Sequence, residues 1–153
     1  MYRLTLGIVG NEADATDATQ EAFIAAWRQL RGLRDPERLE AWLARIAVNA
    51  ARMVARGRRR RAVREIPGLA HLDATATAVG DPSGRTTEDA ATLGRALGRL
   101  TPDQRTLLAL RHLEGRGIEE IATVLDIRPG TAKSRLFAAR RALAAALADE
   151  ERR

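Results

Sequence analysis

The stretch Ile118–Leu147, IEEIATVLDIRPGTAKSRLFAARRALAAAL, decides the fold of this chain. Apolar residues recur at helical spacing over Ile118–Leu125. Pro129 and Gly130 mark a tight turn, and a second helical pattern then runs to Leu147. Thr131 is placed to cap that second helix. A short helix, a turn and a longer helix with a basic outer face is the layout of a helix-turn-helix. Such a module inserts its second helix into the major groove of DNA. Projected at about 100° per residue, Ala132, Leu136, Ala139, Leu143 and Leu147 fall on one stripe. That stripe must pack on Ile118, Ile121, Ala122 and Leu125. Ser134, Phe137, Ala138 and Arg141 lie opposite, with Lys133, Arg135 and Arg140 on the flanks.

On that outer face Ser134 is small enough to let the backbone approach base edges. Phe137 either packs on a neighbouring helix or makes apolar contact with a thymine methyl or a sugar. Lys133, Arg135, Arg140 and Arg141 suit phosphate contacts that set register. A charged helix face is more often simply solvated. Here the turn placed immediately before it favours DNA.

Working outward, Thr101-Pro102-Asp103-Gln104 offers an N-cap threonine, proline at the first helical position and glutamine at the third. Leu107, Leu108, Ala109, Leu110 and Leu113 fill the helix that follows, and Gly115 and Gly117 close it. Upstream, helical pattern begins at Glu88, with Leu93, Ala96, Leu97 and Leu100 facing inward. From Ile66 to Thr87 the pattern dissolves into Gly, Pro, Ala, Asp and Thr, the composition of a linker.

Before the linker the first helix is expected from Asp17, where Asp17 and Gln20 resemble a capping box. Phe23, Ala26, Trp27 and Leu30 follow at helical spacing, and Gly32 and Asp35-Pro36 end it. A second helix is expected over Glu37–Arg56 with Leu39, Trp42, Leu43, Ile46, Ala50 and Met53 on its inner face. Arg45, Asn49, Arg52 and Arg56 fall within roughly 60° of each other on a neighbouring face. They run into Arg58-Arg59-Arg60-Arg61. The fold class is therefore all-α: two small helical bundles joined by a flexible linker, the C-terminal one a helix-turn-helix.

Composition narrows the function. The 153 residues carry 26 basic and 20 acidic side chains, a net charge of +6, and Lys133 is the one lysine. Arginine offers five donors in a fixed fork that suits phosphate and guanine, although GC-biased codons would also favour it. With no cysteine there is neither a disulfide nor a thiolate metal site. His71 and His112 sit apart from each other and from any ligand spacing, so each reads as an ordinary solvated or partly packed histidine. Aromatic residues make up 3% of the chain, too few for a base-stacking RNA-binding sheet. No segment has the apolar length to span a bilayer, and no signal pattern opens the chain. A cytoplasmic protein is expected. No phosphate-binding glycine loop, metal constellation or nucleophile–base pair is present, so no catalytic residue, metal or cofactor is expected, nor a small-molecule substrate.

These residues match a known family. LTPDQRTLLALRHLEGRGIEEIATVLDIRPGTAKSRLFAARRAL closely resembles the winged-helix-like domain four of extracytoplasmic-function (ECF) sigma factors. DATDATQEAFIAAWRQL and EAWLARIAVNAARMVARGRRRR resemble parts of their domain two. The resemblance implies domain two over residues 1–62, a linker over 63–87 and domain four over 88–149. It implies a transcription initiation subunit whose partners are core RNA polymerase, promoter DNA and an anti-sigma factor. Asp17, Gln20 and Glu21 would dock on the clamp helices of the largest polymerase subunit, with the flap as a further polymerase contact. For Asp17, capping alone is a competing role.

Arg45, Asn49, Arg52, Arg56 and the loop Leu33–Glu40 would capture the melted minus-ten element, by the logic of base flipping. Trp42 would be either a wedge or core, and its spacing with Leu39 and Ile46 favours core. Arg128, Gly130, Thr131, Lys133, Ser134, Arg135, Phe137, Arg140 and Arg141 would read the minus-thirty-five duplex.

The chain also departs from the family. About a dozen residues, Met1–Asn11, stand where relatives carry a longer first helix, which would leave Phe23 and Trp27 under-covered. Thr16 replaces an acidic residue, Ala138 an arginine, and Asp126 a turn glycine, a position aspartate tolerates. Two other functions fit parts of the sequence: a stand-alone helix-turn-helix regulator, and a truncated sigma-like decoy that binds an anti-sigma factor.

Overall fold

A computed structural model describes residues 1–65 and 87–152. Its helices are α1 (Tyr2–Val9), α2 (Glu12–Gln29), α3 (Leu39–Glu65), α4 (Thr87–Gly98), α5 (Pro102–His112), α6 (Ile118–Leu125) and α7 (Pro129–Glu151). Short 3₁₀ turns at Leu30–Gly32 and Pro36–Arg38 join α2 to α3. Among the described residues there is no strand. Most of the expected linker, and His71 within it, lies outside the described residues. Residues 63–65 continue α3, and Thr87 opens α4.

Met1–Asn11 corrects the expectation that helical structure begins near Asp17, because Tyr2–Val9 form a helix of their own. Leu4 and Ile8, one turn apart, are almost wholly buried, and burying each is worth about 1.5–3 kcal/mol. Thr5 is buried between them because its hydroxyl bonds the Tyr2 carbonyl (2.9 Å) and lies 2.8 Å from Thr19 Oγ1. Gly10 at φ 83° ends α1 in the left-handed conformation that glycine adopts without a Cβ penalty.

A second correction follows from the first. Asn11, not Asp17, caps α2: its side chain accepts from the Asp14 amide at 2.9 Å. Asp17 and Gln20 lie inside the helix and make no capping box. The inner stripe of α2 is Ala15, Ala18, Ala22 and Ala26, all buried, and α2 packs on α3, whose Ala44, Ala47 and Ala51 are buried too. Alanine on both sides lets the two helices pack closely, and large side chains do not fit between them. Phe23, Trp27 and Leu30 therefore point outward, Trp27 at 80% exposure.

Helix α3 begins at Leu39, after a turn capped by Asp35, and extends to Glu65 rather than stopping at Arg56. Its buried face runs through Ala44, Ile46, Ala47, Val48, Ala50 and Ala51. Met53, expected inside, is 66% exposed, and Leu39 also lies at the surface. Trp42 and Leu43 pack half-buried against the core, in keeping with the core role expected for Trp42. Arg58 pairs with Asp14 at 3.2 Å, tying the later turns of α3 to the start of α2.

In the C-terminal half the capping box of α5 forms as expected. The Gln104 amide donates to Thr101 Oγ1 (3.2 Å), and the Thr101 amide donates to Gln104 Oε1 (2.9 Å). Leu107, Leu108 and Leu110 pack with Ile121, Val124, Leu136 and Ala139. At the far end, Arg95 of α4 and Arg99, just past its end, pair with Glu150 of α7 at 2.8 and 2.9 Å.

The two halves do not stand apart. Helix α1 packs on α5, and α3 packs on α6 and α5, so one buried cluster runs from α1 to α7. Gly7 makes the first of these contacts possible. A Cβ there would sit 2.7 Å from Leu113 Cδ1 and 3.3 Å from Ala109 Cβ, both of the C-terminal half.

Candidate nucleic-acid interface

The helix-turn-helix is built by α6 and α7. Asp126 closes α6 at φ 56°, ψ 50°, the left-handed conformation expected of it, and the Ile127 amide donates back to the Ala122 carbonyl at 3.0 Å. Helix α7 starts earlier than expected: Arg128 is the N-cap and Pro129 the first helical residue. Thr131 therefore lies within the first turn and does not cap the helix. Its carbonyl instead accepts from Ser134 Oγ at 3.1 Å. Ala132, Leu136 and Ala139 are buried against Ile121 and Ala122, and Leu143 and Leu147 are half-buried along the same stripe.

Lys133, Ser134, Arg135, Phe137, Arg140 and Arg141 are all exposed, together with Arg128 and Gly130. Phe137 is 64% exposed, which leaves much of its apolar ring open beside a cationic field. An open groove of about 550 Å³ runs along this face, with Ile118 and Leu136 as floor and Arg111, Lys133 and Arg140 at the rim. An apolar floor under cationic forks can seat a sugar or thymine methyl with its phosphate. His112 sits at the end of α5 beside this rim. Partial burial, then Arg140, then Arg111 hold its imidazole below the ordinary histidine value, so it is neutral at pH 7.

On α3 the structure separates the four residues of the arginine stripe. Asn49 and Arg56 face solvent. Arg45 pairs with Asp126 of the helix-turn-helix turn (3.1 Å), and Arg52 pairs with Asp103 in the first turn of α5 (2.9 Å). The Arg52 side chain retains 22% of its exposure. Two further arginines seam the same contact. Arg105 Nη1 donates to the Val9 carbonyl at the end of α1 (3.4 Å), where a cation complements the helix dipole. Burial and, less strongly, the charge of Arg58 lower its pKa. Arg116, itself buried, reaches the Glu40 carbonyl at 3.4 Å and pairs more loosely with Glu114 and Glu120. The Nε–H groups of Arg52, Arg105 and Arg116 are buried without an acceptor among the described residues. Each such group costs on the order of 1–3 kcal/mol.

No sequence signal pointed to Asp103, Asp126, Arg105, Arg116 and Gly7 as residues that join the halves. Their partners lie many tens of residues away, and helical periodicity carries no record of such a pairing. Asp17, Gln20 and Glu21 lie exposed on the outer face of α2, next to Phe23 and Trp27.

Comparison with known proteins bears on both halves. The Sigma-70 region 2 family matches residues 1–61, and the Sigma-70 region 4 family matches residues 90–143. The RNA polymerase sigma-H factor of Pseudomonas aeruginosa is 37% identical over 151 residues, spanning 94% of this chain and 78% of the relative. The ECF RNA polymerase sigma-E factor of Escherichia coli is 35% identical over 144 residues, spanning 85% and 72%. The chain belongs to the ECF sigma factors. Sigma factors act in transcription initiation and are not an enzyme class.

Two solved structures share the fold over both halves of this sigma factor. One is the sigma factor RpoE in complex with the anti-sigma factor NepR from Bartonella quintana, with a TM-score of 0.70 at 25% identity, covering 95% of this chain and 89% of that one. The other is CnrH in complex with the cytosolic domain of CnrY, with a TM-score of 0.66 at 26% identity, covering 97% and 80%. Among the described residues of this sigma factor no helix is long and apolar enough to cross a membrane.

Proposed function

We propose that this ECF sigma factor binds core RNA polymerase in the cytoplasm and directs it to promoters through two separate DNA-reading surfaces, with no catalytic activity of its own. Residues 1–62 act as domain two, 63–87 as linker and 88–149 as domain four. Asp17, Gln20 and Glu21 meet the clamp helices of the largest polymerase subunit, and the exposed Phe23 and Trp27 extend that surface with apolar area. Domain four meets the flap. Arg45, Asn49, Arg52 and Arg56 take the melted minus-ten strand, where basic contacts to the backbone offset unstacking.

Arg128, Gly130, Thr131, Lys133, Ser134, Arg135, Phe137, Arg140 and Arg141 read the minus-thirty-five duplex. Ser134 and Phe137 face base edges, and the cations hold phosphates. An anti-sigma factor is a further partner, as for the sigma factor solved with NepR.

The observation that carries the proposal is the α7 face: cationic, exposed and mounted on a buried helix-turn-helix core. Run-off transcription with purified core enzyme tests it. The expected result is initiation that depends on this protein, with weak binding to free promoter duplex and strong binding once core is added. Failure to bind core would overturn it, as would tight binding to palindromic duplex without core.

A further inference from the structure

Met53 stands out on α3 because it contradicts the pattern around it. Its apolar spacing predicts a core position, yet it is 66% exposed while Ala50 and Ala51 beside it are buried. Among the described residues of α3 after Leu39, no other large apolar side chain is exposed. At about 100° per residue Met53 falls within roughly 60° of Asn49, Arg56 and Arg60, along about 16 Å of helix. All three are exposed, and Arg56 and Arg60 form no ion pair with other described residues. Arg45 and Arg52 lie at the edge of this face and turn to Asp126 and Asp103.

We propose that Met53 is a contact residue for the melted strand, with an unpaired base resting on its thioether. Asn49 faces the base edge, and Arg56 and Arg60 hold the flanking phosphates. The proposal rests on the assignment of α3 to the minus-ten element. It adds the residue that distinguishes unpaired from paired DNA.

The chemistry of the stripe suits a single strand. In a duplex the faces of the bases are stacked on one another, and a side chain beside the helix does not reach them. An unpaired base opens its π face, and an apolar surface that covers it stabilises the melted state. Arginine and asparagine supply phosphate and edge contacts. The polarizable sulfur of methionine supplies the apolar one, and sulfur–ring contacts are favourable at about 5 Å. Three rotatable bonds let the side chain fit a purine or a pyrimidine, so this contact responds to unpairing and not to sequence. A merely solvated basic face gains nothing from a methionine at its centre, where the free energy of burial is forfeited.

The test uses the holoenzyme and an end-labelled promoter fragment with a pre-opened bubble across the minus-ten element. Fluorescence anisotropy gives the affinity while each base of one bubble strand is replaced in turn by an abasic site. The wild type is expected to lose affinity sharply at one position. Met53→Ala is expected to bind the intact bubble about five- to thirtyfold more weakly and to be indifferent to the abasic site at that position. Met53→Leu keeps the apolar area and should retain most of the affinity. Met53 is exposed and alanine is a strong helix former, so the helix survives the change.

Hydrogen peroxide, applied to the free chain and removed before core is added, gives a second measurement. It transfers one oxygen to the thioether, leaving the sulfoxide and water, and the chain has no cysteine to compete. Oxidised wild type should then bind like Met53→Ala, because a polar sulfoxide no longer covers the base.

Wild-type affinity in Met53→Ala would overturn the proposal, and so would an abasic profile that the substitution leaves unchanged. Full affinity of the oxidised wild type would do the same. A wild-type holoenzyme that does not prefer the bubble to the duplex would instead remove the minus-ten assignment itself, and the role of Met53 with it.

Discussion

The outer face of α7 and the arginine stripe of α3 have similar chemistry and opposite surroundings. On α7, Lys133, Arg135, Arg140 and Arg141 point into solvent and form no ion pair with other described residues. They are mounted on a core made by α5, α6 and α7 within one stretch of chain. On α3, Arg45 and Arg52 are paired with aspartates that lie far along the sequence, in the C-terminal half. One surface is displayed by its local fold. The other takes its state from a remote part of the molecule. Whether a basic residue is free to meet a partner is thus a property of tertiary packing.

The largest expected effect tests this contrast from the α3 side. Arg52→Ala combined with Arg56→Ala removes charge-assisted contacts worth about 1.5–3 kcal/mol each, so a loss of open complex of at least roughly a hundredfold is expected. Permanganate reactivity of thymines at the start site measures it, and co-elution with core enzyme should be unchanged. Arg52→Ala also breaks the pair with Asp103, but the Asp103 carboxylate is 76% exposed, so the pair itself is worth only about 0–1 kcal/mol. Loss of strand capture therefore dominates. An increase in open complex would mean that Arg52 does not hold the melted strand.

A smaller effect is expected on the α7 side. Arg141→Ala or Ser134→Ala should weaken duplex recognition by about 1–3 kcal/mol, the usual worth of a base-edge interaction. Run-off from promoters with and without a matched minus-thirty-five element separates this from a general defect. If both variants keep full discrimination, the exposed face of α7 is not the reading face.

Smaller again, and confined to stability, is Thr101→Ala. It removes one arm of the capping box that starts α5, at an expected cost of about 0.5–2 kcal/mol in denaturant unfolding. That turn also carries Asp103, which pairs with Arg52 of α3, whereas the outer face of α7 lies apart from it.

What could be read from sequence follows the same division. The helix-turn-helix core, the Thr101 capping box and the left-handed Asp126 are local features, set within a few residues by periodicity and turn chemistry. All three appear in the structure as expected. The errors arise where a nearer signal or a distant partner wins. Asn11 outcompeted Asp17 as a cap because α1 delivers the chain to that point, and Arg128-Pro129 starts α7 before Thr131 can cap it. Phe23 and Trp27, expected to be under-covered, are exposed, although α1 is present: the alanine stripe one position away is the buried face of α2. The pairing of Arg45 and Arg52 was not legible at all, since solvated, DNA-facing and self-docked arginines share one sequence pattern.

His112 belongs wholly to the α7 side and offers the smallest effect, a pH dependence. In the free protein partial burial, Arg140 and Arg111 hold its pKa below 6.5. Phosphates bound at Arg140 and Arg111 would cancel the repulsion from those two arginines and raise it, so duplex binding takes up a proton. Affinity for minus-thirty-five duplex in holoenzyme should therefore improve as pH falls through the region around 6.5, by roughly two- to fivefold. It should be flat at higher pH, where His112 is neutral in both states. Folding responds with the opposite sign. A folded-state pKa below the unfolded value means that protons favour the unfolded chain, so stability declines over the same fall in pH. His112→Gln should flatten both profiles while leaving strand capture by α3 unchanged. If the affinity profile survives in His112→Gln, the proton is taken up elsewhere and phosphates do not bind at this rim. A pH-dependent gain in duplex affinity set against a loss of stability is something a merely structural histidine would not produce.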